Sequence, residues 1–428
     1  MNTFYQLVAK VVTTVSTLVV TILITKSFGV EGFGQFTIAM TYAALFYLAV
    51  DFGINAITTK ELTHDPSLIP HYFKNLVAMR VALSLIVMFL GLFILLFLPY
   101  SNFLKIAVTI SLFTILNQAL FTSATAIFQT LLRYELAAIA DIVGAITTLL
   151  LVILATYLGG NILLVLISFV LGGFLRILVG YKIISRHTSG FGLSWDFTLW
   201  KHLFILALPL GITAVFSQII ANSDKFLISI SDLPFGLTHE IASGYYGLAY
   251  KIFEVSLVVP AFFVNAAYPI MVKNSHEGPK KLLTTIKKMY FAMLVLSLLA
   301  AVTGTVLTPS IIQIFKSGKG DFSQSTQILQ ILISALPIFY LSAISLWLVI
   351  TVGKQKLLVI IYGLAAVLNI VLNLIFIPVY GITTAAVTTI LTEIFIVSFT
   401  TTIGMRTLLK EIKSQLETGN EVLNASRI

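Results

Sequence analysis

An all-α integral membrane protein with about twelve transmembrane helices is the fold class this sequence predicts, and three observations predict it. The first is composition: 428 residues are 58% hydrophobic and only 10% charged, a balance no soluble globular domain carries. The second is a set of long runs without Asp, Glu, Lys or Arg, at 81–104, 106–132, 142–175, 289–315, 322–353 and 357–392. A span needs about 20 apolar residues, so the longest runs hold most of two helices each. Helices satisfy their own backbone groups in lipid, and the weak period-2 alternation argues against a barrel. The third is the placement of the basic residues, which cluster in short loops between the apolar runs.

Taken in order, the predicted spans lie near 6–27, 35–58, 75–98, 103–130, 136–158, 161–184, 203–230, 242–271, 289–313, 325–350, 357–378 and 381–404. The first ends at Lys26, and the second opens at Gly34. Lys105 marks the connection between the third and fourth, and Arg133 the one before the fifth. Gly159 precedes the sixth, and Lys182 closes it. Lys280, Lys281, Lys287 and Lys288 precede the ninth, and Lys354 and Lys356 precede the eleventh. Gly381 opens the twelfth, and Arg406 follows it. With the N-terminus inside, the outer side receives only Lys26, Lys105, Lys316 and Lys319. The inner side receives most of the rest, including Lys60, Arg80, Arg186 and Arg427. This asymmetry places both termini of a multi-pass protein in the cytoplasm.

The expected organisation is a six-helix lobe at 1–185, a cytoplasmic linker at 186–202, a second six-helix lobe at 203–405 and a cytoplasmic tail at 406–428. Gly34-Gln35-Phe36-Thr37-Ile38-Ala39 and Gly244-Tyr245-Tyr246-Gly247-Leu248-Ala249 share the pattern Gly-x-aromatic-x-aliphatic-Ala. Two pseudo-symmetric bundles inserted in the same direction follow, with a site between the halves. Trp195 and Trp200 suit an interfacial helix in the linker. The tail, with Leu408, Leu409, Ile412 and Leu416 on one face, suits the inner membrane surface.

Four basic residues, Lys10, Arg176, Lys225 and Lys251, fall inside predicted spans. Each costs about 2.5–3.5 kcal/mol at the centre of a lipid-facing helix, so together on the order of 10 kcal/mol. A wet interior cavity relieves that cost, and a cavity lined by cations suits an anionic cargo. Arg176 can clamp a phosphate with parallel hydrogen bonds; its alternative, like that of Lys10, is snorkelling to the interface. Lys251 lies about nine residues into its span, roughly 14 Å deep at 1.5 Å per residue. Glu254 shares its face and either tunes its charge or simply neutralises it. Asp224 and Lys225 are adjacent and point apart, so one is a cavity candidate. Asp51, Asp141 and Glu393 are candidates for coupling or charge pairing, Glu393 being the deepest. Pro209, Pro260, Pro269, Pro309 and Pro337 mark candidate kinks.

The segment Lys26-Ser27-Phe28-Gly29-Val30-Glu31-Gly32-Phe33-Gly34-Gln35-Phe36, followed by Asp51-Phe52-Gly53, resembles the opening of the polysaccharide-transport family, the O-antigen (Wzx-type) flippases of the MOP superfamily. Asp224-Lys225-Phe226-Leu227-Ile228, Ala249-Tyr250-Lys251, and Asn369, Asn373, Ile377-Pro378, Gly381, Ala385-Ala386 and Glu393 continue the likeness. Lys26 stands where the family usually carries Arg, keeping the charge without the fork. The resemblance implies a MOP/MATE-like fold. It also implies export of a polyprenyl-pyrophosphate-linked oligosaccharide for lipopolysaccharide or related polysaccharide biosynthesis, with membrane lipids and a polymerase or assembly machinery as partners.

Other functions are excluded or disfavoured. The absence of Cys removes thiolate chemistry, the six His residues lack metal spacing, and no phosphate-binding loop for ATP occurs. Neither a metal nor a cofactor is expected, and coupling to a proton gradient, a sodium gradient or the membrane potential is left open. The net charge of +9 sits in short loops, which argues against nucleic acid. Short outer loops argue against a polymerase or ligase. The rival reading is a MATE-like exporter of organic cations.

Overall fold

The computed structural model describes residues 2–185 and 192–425. Arg186, the start of the 186–202 linker, and Arg427 lie outside the described residues. Fourteen α-helices follow in order. They are α1 (Asn2–Asp51), α2 (Ile54–His64), α3 (Ile69–Phe97), α4 (Asn102–Thr130), α5 (Tyr134–Tyr157), α6 (Ile162–Ile184) and α7 (Phe197–Ile228). Then come α8 (His239–Ser256), α9 (Val258–His276), α10 (Pro279–Phe315), α11 (Ser323–Ser334), α12 (Leu336–Thr351), α13 (Lys356–Tyr380) and α14 (Thr383–Ala425).

Among the described residues nine helices are long and apolar enough to cross a membrane, and two bent pairs raise this to eleven. The first of these, Tyr5–His64, has 60 residues, about 90 Å of helix against a hydrocarbon core of about 30 Å. It breaks at Gly29, whose φ of 68° only glycine adopts freely. The break divides it into two spans and accounts for the twelve that the sequence predicts.

Of the candidate proline kinks, two coincide with sharp bends. The helix bends by 59° between Phe197–Pro209 and Gly211–Ile228, and by 45° between Ser323–Ser334 and Leu336–Thr351, where Pro337 sits in the first turn of α12. Pro309 and Pro269 lie within continuous helices. A third interruption, at Leu257, comes just before Pro260. A proline removes the hydrogen bond that would brace its own turn, but neighbouring packing decides whether the helix gives way.

The chain packs into two compact units, one comprising 1–247 with 313–322, the other 248–312 with 323–428. In the first, Ile54, Leu62, Tyr72, Leu76, Ile127, Phe128, Ile184 and Leu203 form a buried cluster. Asp196 caps α7 by accepting from the N–H groups of Thr198 and Leu199, both at 3.0 Å. The bond from Leu199 above all holds its carboxyl below the ordinary range. That contribution is complete above the unfolded-state pKa of an aspartate and fades as pH falls through the lowered folded value. Loss of α7 helicity on acidification, shifted in Asp196→Asn, is the expected sign.

Glycines bring backbones together at one end of this unit. A Cβ on Gly34 would run into the carbonyl of Glu240, and one on Gly244 into the carbonyl of Val30. The glycines of the two motif copies therefore face each other, and each is small because the other helix's backbone lies against it. Gly29 meets the carbonyl of Lys319 in the same way, and Lys319 Nζ donates to Ser27 O at 2.8 Å. Gly34→Ala is expected to lower the thermal midpoint of the purified protein by several degrees, an overpacking cost of about 1–3 kcal/mol. Gly318→Ala, with open space around it, is expected to leave the midpoint unchanged.

In the second unit, Asn369 and Asn373 of the resemblance motif are fully buried. Asn373 donates to Asn369 at 3.0 Å, Asn369 donates to Thr392 at 3.2 Å, and Thr388 donates to Asn373 at 2.6 Å. The motif thus ties α13 to α14 through a satisfied polar network, the usual way to retain amides at membrane depth. α14 continues without a break from its span into the tail as far as Ala425. Leu408 is buried while Leu409 and Leu416 are exposed. The tail is therefore a direct extension of the last span, without the bend that lying along the membrane surface requires.

Candidate functional site

The first unit holds an open cavity of about 360 Å³ among its own helices. α1, α4, α5 and α6 build its wall, and its polar lining comprises Thr13, Thr17, Tyr47, Thr114, Asn117, Gln118, Asp141, Thr148 and Arg176. Three glycines make room for these side chains. A Cβ on Gly144 would strike the Arg176 side chain, one on Gly172 the Thr148 hydroxyl, and one on Gly173 the Asn117 amide. Small residues let α5 and α6 approach closely enough to seat the polar groups between them.

Arg176 is the cation on this wall. Its Nη1 donates to Asp141 Oδ1 at 3.3 Å and its Nη2 to Gln118 Oε1 at 2.5 Å. Its guanidinium carbon lies 4.1 Å from the centroid of the Phe121 ring. The ring face attracts the cation and fixes its plane. Tyr47, also on the wall, places its hydroxyl 2.9 Å from Thr122 Oγ1. The guanidinium is therefore oriented from two sides, and its bond to the carboxylate is long. Asp141, near the start of its predicted span, faces this cavity and pairs with Arg176 rather than with headgroups. Lys10 is exposed on α1 and close enough for its charge to act on Asp141.

The remaining candidates lie elsewhere. Asp224 is fully buried, accepts from the Tyr246 hydroxyl and takes the backbone N–H of Lys225 at 2.8 Å. Lys225 is half-buried on α7. Lys251 pairs with Glu254 at 3.2 Å, each side chain about two-fifths exposed. Glu393 is half-buried on α14, with Ser342 in hydrogen-bonding range and Tyr362 nearby. Asp51 pairs at 3.0 Å with Arg80. The structure thus brings Arg176 and Asp141 together on one cavity wall and leaves Lys10, Lys225, Lys251, Asp224, Glu254, Glu393 and Asp51 off it.

Arg80 is a buried cation that the sorting of basic residues passed over. It is fully buried in α3, not in an inner loop, and its Nη1 donates to Ala119 O at 2.9 Å. α3 begins at Ile69, well before the predicted start at 75, so Arg80 stands about 16 Å along the helix. The uncharged run begins immediately after it at 81, which disguised it as a flank. Gln118, Tyr47 and Phe121 carried no charge to draw notice; a polar residue inside an uncharged run was the available signal.

A polysaccharide biosynthesis protein family model matches residues 1–275, and a MatE family model matches residues 235–375. The fold is similar to an inward-facing multidrug resistance MATE family transporter of the MOP superfamily, with TM-score 0.75, 13% identity, and 94% of this chain and 96% of that one covered. It is similar to the lipid II flippase MurJ in an inward closed conformation, with TM-score 0.73, 19% identity, and 96% and 87% covered. An outward-facing MATE transporter superposes with TM-score 0.66 at 14% identity, covering 96% and 95%. No curated protein matches the sequence. At these identities the structural likeness speaks for the fold. With the family model covering well over half its length, this multi-pass membrane protein belongs to the polysaccharide biosynthesis protein family.

Proposed function

We propose that the protein flips a polyprenyl-pyrophosphate-linked oligosaccharide, an O-antigen or similar repeat unit, from the cytoplasmic to the outer leaflet of the bacterial inner membrane by alternating access. The observation that carries this reading is Arg176, an oriented guanidinium on the wall of a cavity among apolar helices, restrained by one long bond to a carboxylate. A pyrophosphate offers more and better-charged acceptors than Asp141 does and can displace it. Lys10, Lys225 and Lys251 serve as further cationic contacts along the route. The two lobes at 1–185 and 203–405 alternate, with both termini cytoplasmic and the product passed to a polymerase or assembly machinery. Asp51, Asp141, Asp224, Glu254 and Glu393 are the carboxylates available to couple transport to a proton or sodium gradient or to the membrane potential.

The test is a proteoliposome assay with a fluorescent polyprenyl-pyrophosphate oligosaccharide and a membrane-impermeant quencher. Protein-dependent loss of the protected pool is expected, and Lys251→Ala is expected to slow it about tenfold, the loss of one partly solvated charge contact. A second reading, export of organic cations, draws on the Asp141 carboxylate in the cavity and on the MatE match at 235–375. It is favoured if the glycolipid stays protected and a cationic dye is moved.

A further inference from the structure

The cavity wall has a hydrogen-bonding polarity of its own. A threonine hydroxyl carries one donor and two acceptor lone pairs. All four threonines on the wall commit the donor to their own helix. Thr13 donates to Lys10 O at 3.0 Å, Thr17 to Thr13 O at 2.8 Å, Thr114 to Ser111 O at 2.6 Å and Thr148 to Gly144 O at 2.9 Å. Asn117 likewise gives its amide to Val170 O at 2.8 Å. The wall therefore offers lone pairs and, apart from Arg176, few donors. Phosphate oxygens are acceptors only and find their one charged donor on this wall at Arg176. The rest of the wall suits a ligand that carries several donors on a compact frame with apolar edges. Tyr47, Phe169 and Ile115 supply the apolar and aromatic surface for such edges. A volume of about 360 Å³ lies at the small end of ligand pockets, about 300–1,000 Å³. It takes a sugar ring or two, not a long chain.

We infer that this cavity is a sugar subsite: the threonine-lined wall of α1, α4 and α5 accepts hydroxyl donors from the phosphate-proximal sugar, while Arg176 holds the adjoining phosphate. The assignment rests on the lipid-linked glycan reading and adds that the glycan head, not the pyrophosphate, fills the interior of the first unit. The threonine hydroxyls bond only their own helices, so valine preserves shape and removes the acceptor at little cost to the fold.

The experiment compares two radiolabelled probes on the full-length protein in nanodiscs: polyprenyl pyrophosphate, and the same lipid carrying one neutral hexose. Wild type is expected to bind the sugar-bearing lipid at least about tenfold more tightly, the equivalent of one to two hydrogen bonds. In Thr17→Val/Thr148→Val that preference is expected to collapse to near parity with the sugar-free affinity unchanged, and Thr17→Ser/Thr148→Ser is expected to retain it. Equal wild-type affinities, or a valine variant that weakens both probes alike, overturn the subsite and leave the flippase reading standing. Binding of neither probe by wild type overturns the flippase reading and the subsite together.

Discussion

Arg176→Gln is expected to reduce glycolipid flipping by about 30-fold to 1,000-fold. That range follows from losing a charge-assisted, bidentate phosphate contact, worth about 2–4 kcal/mol. Glutamine keeps an amide donor but is shorter and neutral, so the loss measures charge and fork geometry together. Arg176→Lys separates these two. It keeps the charge but not the parallel donors or the flat contact with Phe121, and an intermediate rate is expected. Asp141→Asn acts in the opposite sense on affinity. It removes the carboxylate that competes with substrate for Nη1, so pyrophosphate binding is expected to tighten while turnover falls through slower release. Initial flipping rates, with expression and monodispersity matched, check all three.

The second large effect is structural. Asp51→Ala is expected to cost about 3–5 kcal/mol, enough to abolish recovery of folded protein at moderate temperature. Arg80 is fully buried, with one bond to Asp51 and one to Ala119 O. Removing the carboxylate leaves an uncompensated charge at membrane depth, since one backbone carbonyl cannot replace it. Removing both charges tests that mechanism. Arg80→Met/Asp51→Leu is expected to restore most of the thermal midpoint, because a buried ion pair and a well-packed apolar pair are close in net energy. If the double variant stays as unstable as Asp51→Ala, the pair has a role that hydrophobic packing does not replace. The midpoint by fluorescence-detected size exclusion reads both outcomes.

The spans were legible because lipid imposes a simple rule on composition. Uncharged runs of 24 residues or more, such as 81–104 and 142–175, have few other readings. The Gly29 break falls in the predicted connection between the spans at 6–27 and 35–58, and its positive φ explains the residue. The site was legible only in part. Arg176 stood out as a charge in an apolar helix, but its partner Asp141 lies 35 positions away on α5, and nothing local announces that pairing. The Arg80–Asp51 pair was hidden because helix ends in sequence are set by caps and loops, and α3 starts earlier than hydropathy alone indicates. The threonine wall was invisible because a single threonine in a span is ordinary. Four of them converge on one cavity only through the packing of α1, α4 and α5. Asn369 and Asn373 were read as family signatures, and the structure supplies the reason: each side chain completes the other's hydrogen bonding.

The measurement that tests the central claim most directly is a two-cargo comparison in one proteoliposome preparation. A labelled polyprenyl-pyrophosphate disaccharide and a cationic dye are followed together, with wild type beside Arg176→Gln. Protein-dependent flipping of the glycolipid, lost in Arg176→Gln, with no protein-dependent movement of the dye, is the predicted result. Dye movement that survives Arg176→Gln, with the glycolipid left in its original leaflet, would contradict the anionic-cargo account.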